Sequence, residues 1–192
     1  MSFRGTIKPI INPFELLAGW KSLWFGLSII LLNAFLGTAI NVHYDGVLDI
    51  HMGRPNPFAL SIFEHTISWL SLALFLYLSG MYFSSSRIRL IDVLGTTALA
   101  RYPLLLAIPV GFIDLNDPAT IFVNSTSTLT FIGVAILLLF IVGLHIFLLF
   151  KAYRVSCNLK GKTLYITFIA SVVLAEILSK FLIIQFYKSY IL

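Results

Sequence analysis

Four charged side chains stand deep inside long apolar stretches of this chain, away from their ends: Glu64, Arg101, Glu176 and Lys180. A bare charge at the centre of a bilayer costs about 2.5–3.5 kcal/mol on insertion scales, so each needs an opposite charge, a hydrogen-bond partner or water. At about 1.5 Å per helical residue, Arg101 and Glu176 lie roughly 15 and 19 Å in from the same side. The depths predict that Arg101 pairs with Glu176, and that Lys180 pairs further out with Glu176 or with Glu64. Such a ladder either locks helices together or lines a path for an ion or small solute. No continuous acidic relay and no repeated half-helix accompanies it, and the lock is the expectation. Asn33 and His145, also within spans, read as hydrogen-bonding packing residues.

Pro103 and Pro109 follow this arginine in "RLIDVLGTTALARYPLLLAIPVGF". Each proline denies an amide to the helix and frees a carbonyl, here of Leu99 and Leu105, which predicts a kink. Arg101, with five donors, could then serve both a carboxylate and a freed carbonyl. Asp92 falls on the opposite face of that helix and suits Arg87 or Arg89 instead.

A second constellation lies in "NVHYDGVLDIHMG". His43 and Asp45, then Asp49 and His51, are imidazole and carboxylate groups of the kind that hold a divalent transition metal. The spacing is short and common, and closed metal sites show more regular ligand patterns. A solvated acidic loop is therefore the expectation there, and no cofactor is expected.

The elements that carry these residues follow from composition. Of the 192 residues, 59% are hydrophobic and 11% charged, and the mean hydropathy is +0.97. Soluble domains are about 25% charged, so a water-soluble fold is excluded. Crossing a bilayer takes about 20 mostly apolar residues, and five segments qualify: 24–42, 58–83, 90–113, 129–150 and 163–187. The prediction is a single all-α domain over 1–192, a bundle of five membrane-spanning helices. Its first apolar run reads as a retained helix rather than a cleaved signal.

Direction follows from lysine and arginine. Arg4, Lys8, Lys21, Arg87, Arg89, Lys151, Arg154, Lys160 and Lys162 fall on one side, and Arg54 and Lys188 on the other. Nine against two predicts a cytoplasmic N-terminus and a C-terminus outside. "INPFELLAGWKSLW" begins with a cap residue, a proline and a glutamate in capping-box order. It predicts an interfacial helix over 13–23, or else an extension of the first span. Arg154, Lys160 and Lys162 mark a basic turn suited to anionic lipid heads or a protein partner. The net charge of +5 is accounted for by topology and lipid, and no nucleic-acid partner is expected.

Other signals are weak. Cys157 is the single cysteine, so no internal disulfide is available. Asn124-Ser125-Thr126 forms a glycosylation sequon close to the membrane. Nothing resembles a nucleophile elbow, a zinc-protease helix or a phosphate-binding loop, and catalysis has no positive indication. Gly26, Gly37, Gly80, Gly133 and Gly143 permit close helix contact, within the chain or between copies.

The layout resembles the Yip family of Ypt- and Rab-interacting membrane proteins. The likeness rests on five spans, on "NPFE" before the first, and on Asp92, Val93, Leu94, Pro103, Leu104 and Leu105 in the third. "YRVSCNLKGKTLYITFIASVVLAEIL" is similar to the family's run into its last span. The resemblance implies a five-helix bundle without known catalytic chemistry, of the compact bacterial type, in an inner (plasma) membrane. Eukaryotic relatives contact Rab GTPases through a long cytosolic N-terminal region. Here only about twenty residues precede the first span, which argues against a Rab partner.

Overall fold

The structure, a computed structural model, describes residues 12–52, 55–113 and 125–191. Arg4, Lys8, Arg54 and the Asn124 position lie outside the described residues. Among the described residues, five helical segments are long and apolar enough to cross a membrane. They begin with α1 (Gly19–Ala39), α2 (Phe58–Phe83) and α3 (Leu90–Leu99), which is extended by a 3-10 segment (Tyr102–Phe112). The last two are α4 (Ser125–Cys157) and α5 (Gly161–Ile191). Between α1 and α2, β1 (Val42–His43) pairs antiparallel with β2 (His51–Met52), with Val42 opposite Met52 and His43 opposite His51. This two-residue ladder is the departure from an all-α fold. The last two helices also exceed the expected 129–150 and 163–187.

The interfacial helix over 13–23 is not formed as one piece. Pro13–Glu15 makes a single 3-10 turn, closed by Asn12 Nδ2 donating to Glu15 Oε1 at 2.8 Å. The chain then bends at Gly19, whose φ of +59° is a left-handed conformation that glycine adopts without a Cβ clash. Trp20 and Lys21 belong to α1, as the alternative reading has it. Phe14 turns inward to 1% exposure against the main core, while Trp20 and Trp24 stay more than 60% exposed.

Between membrane helices, lipid is as apolar as leucine, so contact relies on small residues and polar bonds. α1 and α3 meet through two glycines. A Cβ on Gly26 would lie 2.5 Å from Ala98 Cβ and Leu99 N, and one on Gly95 would lie 2.9 Å from Gly19 O and Leu23 N. Gly37 and Gly80 are also closely approached, but Gly133 and Gly143 on α4 have open space around them. Trp69 of α2 donates Nε1–H to Leu94 O at 3.1 Å and lies 3.2 Å from Thr97 Oγ1, tying α2 to α3. A hydroxyl chain joins α2, α4 and α5: Ser79 to Tyr153 at 2.8 Å, Tyr153 to Thr167 at 2.9 Å, and Ser79 to Ser171 at 3.0 Å.

The third span does more than kink. The α-helix ends at Leu99, and eleven residues continue as 3-10 helix. Pro103 has no N–H to return to Leu99, and the tighter i to i+3 pattern resumes with Leu104 N donating to Arg101 O at 3.1 Å. A 3-10 helix rises about 2 Å per residue, so the ten α residues and eleven 3-10 residues still reach across a bilayer core. Arg101 sits at the break.

Candidate functional site

The connection between α1 and α2 folds into the bundle instead of lying over it. Val42, His43, Tyr44 and Val47 are each no more than 2% exposed, and Val47 belongs to the main core with Leu72, Leu148 and Ala175. An irregular loop at such depth must have its backbone polar groups satisfied by protein. Two intramembrane glutamates do this. Glu64 Oε2 accepts the Tyr44 N–H at 3.1 Å, while its Oε1 lies 2.9 Å from His43 Nδ1 and accepts the Tyr187 hydroxyl at 2.6 Å. Glu176 Oε2 accepts two successive amides, Val47 at 2.7 Å and Leu48 at 3.1 Å. Gly46 leaves room for this: a Cβ there would collide with the Glu176 carboxylate.

Further bonds fix the base of the loop. Asn56, at the start of α2, donates Nδ2–H to Val42 O at 2.6 Å. The Tyr44 hydroxyl donates to Leu104 O at 3.2 Å, and Ser68 reaches Tyr44 O at 3.4 Å. Burial of the Tyr44 phenol pushes its pKa well above the usual tyrosine value, with the nearby Arg101 charge acting the other way. The ring therefore remains a hydrogen-bond donor at physiological pH.

Arg101 does not meet Glu176. The guanidinium is 1% exposed and its partner is His65, with Nη2 at 3.4 Å from Nδ1. Glu176 and Glu64 are both committed to the loop. Depth along the helices was therefore a poor guide, because it ignores the loop that enters between them. The carbonyls at the break are met by other residues as well: His145 Nδ1 lies 2.9 Å from Ala100 O, and Tyr44 takes Leu104 O. In the 3-10 register, Ala100 O is the acceptor that Pro103 leaves unused. His145 is the packing residue expected of it, with a definite partner.

Lys180 partly follows expectation. Its Nζ lies 3.6 Å from Glu176 Oε1, one turn away, but its closest acceptor is Asp49 Oδ2 at 2.6 Å. Both ends of the latter pair are about 40% exposed, so solvent holds its contribution to about 1 kcal/mol or less. Glu64 is not its partner. Arg89 pairs with Asp92 at 3.5 Å, as the spacing predicts.

Asp45, Asp49 and His51 bring ligand-type atoms within 4.8 Å of one another. An open pocket of about 380 Å³ lies beside them, lined by Asp45, His51, Lys180, Tyr187 and Lys188 among others. His43 stacks on His51 at 5.0 Å but gives its Nδ1 side to Glu64, so three of the four candidate ligands stand together. The ammonium of Lys180 already supplies the cation beside Asp49, which fits an ion-paired clasp better than a metal centre. Within that clasp His51 Nδ1 lies 3.2 Å from Asp45 Oδ1. Hydrogen bonding to Asp45 raises the His51 pKa above 6.5, burial opposing and the Asp45, Asp49 and Glu64 charges assisting. Burial alone would raise Asp45, but the His51 bond and the charges of His51 and Lys180 hold its carboxyl below 3.8.

His65, Tyr44, Gly46 and Tyr187 also build the site, though none is among the candidates that charge and spacing single out. The signal for His65 was present, since it directly follows Glu64 inside a span and doubles the polar load there. The others gave none: a tyrosine or glycine in a loop does not announce that the loop is inserted. At the opposite end of the bundle, Asn158 Nδ2 donates to Ser86 Oγ at 2.9 Å, joining the α2–α3 and α4–α5 connections. Arg87, Arg89, Arg154, Lys160 and Lys162 are all exposed there.

The chain matches no family model, no curated protein and no solved structure.

Proposed function

We propose that this chain is a non-enzymatic multi-pass membrane protein of Yip type, which binds acidic lipid head groups through its basic end and so organises the surrounding membrane. The observation that carries this reading is the Asn158–Ser86 bond, which brings two short connections together. It gathers five exposed cations into one face, where basic residues near a membrane surface are worth about 1 kcal/mol each toward anionic lipid. Asp92, already paired with Arg89, is a small counterweight. In this reading the basic end is cytoplasmic, the inserted loop and the C-terminus face outward, and a bacterial inner membrane is the setting. The interior glutamates hold the fold rigid and take no part in binding.

The test is flotation of the purified protein with vesicles of neutral lipid and of lipid with added phosphatidylglycerol or cardiolipin. Binding that rises with anionic content, and falls in Lys160→Gln/Lys162→Gln/Arg154→Gln while the unfolding temperature is unchanged, supports the proposal. Equal partition of parent and variant into both vesicle types rejects it.

A second reading, a small-solute or ion carrier, draws support from the broken third span, since discontinuous helices form many transport sites. Against it, Arg101 is 1% exposed and Glu176 and Lys180 are engaged by the loop. Solute flux in reconstituted vesicles that Glu176→Gln alters would favour the carrier.

A further inference from the structure

An open groove of about 660 Å³ runs between α2 and α5 on the surface of the bundle, at the end where the basic connections lie. Short side chains make it: Ser79, Ala170 and Ser171 leave a depression between the larger Phe75, Leu78, Tyr82, Ile166 and Leu174. Its rim is exposed, with Leu78 at 46%, Ile166 at 67% and Leu174 at 48%. From Ile166 to Leu174 is roughly 12 Å at about 1.5 Å per residue, within one leaflet of a hydrocarbon core about 30 Å thick.

The floor carries hydroxyls, yet it has none to spare. Each hydroxyl owns one proton, and the protein takes them all. Tyr153 donates to Thr167 Oγ1 at 2.9 Å and Thr167 to Thr163 O at 2.7 Å. Ser171 donates to Phe75 O at 3.3 Å, and Ser79 to Leu76 O at 3.1 Å. A polar solute therefore finds no unused donor there, whereas hydrocarbon asks for none. Hydrocarbon gains nothing by leaving one apolar surface for another within a bilayer, so any selectivity must come from shape and from the rim. Lys162 supplies the rim charge: it is exposed, and it precedes Ile166 by one helical turn on the same face of α5.

We propose that this groove seats one acyl chain of an anionic phospholipid, whose head group meets Lys162. The inference rests on the reading of the basic end as a face for acidic lipid, and adds to it a discrete seat for a single molecule. The chain lies along Leu78 and Ala170, and the lysine at the mouth selects the acidic head over a neutral one.

Native mass spectrometry tests this, with the purified chain delipidated in neutral detergent and titrated with phosphatidylglycerol or phosphatidylcholine. One phosphatidylglycerol per chain should bind saturably, and phosphatidylcholine several-fold more weakly. Ala170→Phe, which fills the groove, should abolish this binding. Lys162→Gln should weaken it several-fold and bring the two lipids closer together. If Ala170→Phe does not fold, Leu78→Trp blocks the groove from the opposite wall. Flotation of Ala170→Phe with anionic vesicles should match the parent, because the exposed cations are intact. A parent that floats with anionic vesicles yet retains no saturable lipid overturns the seat and leaves the surface reading standing. One saturable lipid in a parent indifferent to vesicle charge supports the seat and rejects the surface reading. Retention of the lipid by the groove-filled variant, or a parent dimer that this variant dissociates, overturns the proposal, the latter by assigning the groove to a second copy.

Discussion

Glu176 Oε2 accepts the backbone N–H of Val47 at 2.7 Å, across 129 residues of sequence. It takes the next amide, Leu48, as well, so one side chain of the last span satisfies two consecutive peptides of an inserted loop. A hydrogen bond to a charged group contributes about 1.5–3 kcal/mol, and a buried amide left unpaired costs about 1–3 kcal/mol. Glu176→Ala should therefore lower stability by about 3 kcal/mol, and Glu176→Gln, which keeps an acceptor oxygen, by less. Thermal unfolding in detergent checks the order; equal stability of the parent and both variants would contradict it.

Glu64 is the second clamp, fully buried and reached by Tyr44 N–H, His43 and Tyr187. Removing one member of such a buried charged cluster costs about 3–5 kcal/mol. Glu64→Ala should fall in that range. Tyr187→Phe, which removes a single hydroxyl from the same carboxylate, should cost about 1 kcal/mol. Denaturant titrations of the two variants would show a clear separation, and a tyrosine effect as large as the glutamate effect would speak against Glu64 as the centre of the clamp.

Gly46→Ala tests the closeness of the contact. The new methyl would overlap the Glu176 carboxylate, and overpacking of this kind costs about 1–3 kcal/mol. Gly133→Ala, on the open face of α4, should be neutral or slightly stabilising through helix propensity. A loss at Gly133 equal to that at Gly46 would show that the loop contact has no special role.

The Asp45–His51 clasp should depend on pH. His51 is raised above 6.5, so its contribution is full below that value and is lost as pH rises through the higher folded pKa. Asp45 is lowered from 3.8, so its contribution is present above 3.8 and is lost as pH falls through the lower folded pKa. The loop should be tightest in mildly acidic solution and, relative to the intrinsic exchange rate at each pH, lose amide protection on the alkaline side. Hydrogen exchange of residues 45–51 against pH measures this, and His51→Gln should flatten the alkaline limb.

The spans were readable because composition and length alone dictate them: a chain this apolar, with five runs of sufficient length, has few alternatives. The Arg89–Asp92 pair was readable too, since neighbours on one helix follow from spacing. Partners across helices were not. Depth arithmetic aligned Arg101 with Glu176, but lateral position depends on packing, and α1 with α3 is brought together by Gly26 and Gly95. Nor did polarity mark the loop as buried. "NVHYDGVLDIHMG" looks like a solvated loop because its insertion depends on acceptors supplied by Glu64 and Glu176, 20 and 129 residues away from the amides they hold. The prolines pointed to a kink, and the 3-10 continuation was the form it took.

Cysteine accessibility at the loop reports whether the glutamates hold it inside the bundle. With Cys157→Ser as background, Val47→Cys replaces a side chain that is 2% exposed, and a membrane-impermeant maleimide is applied to intact membranes. A loop held inside the bundle keeps this cysteine unreacted while one placed at exposed Pro55 labels readily, and adding Glu176→Ala opens position 47 to the reagent. Labelling of position 47 as fast as position 55 with Glu176 intact would mean that the loop lies outside the bundle, and that the glutamates hold nothing there.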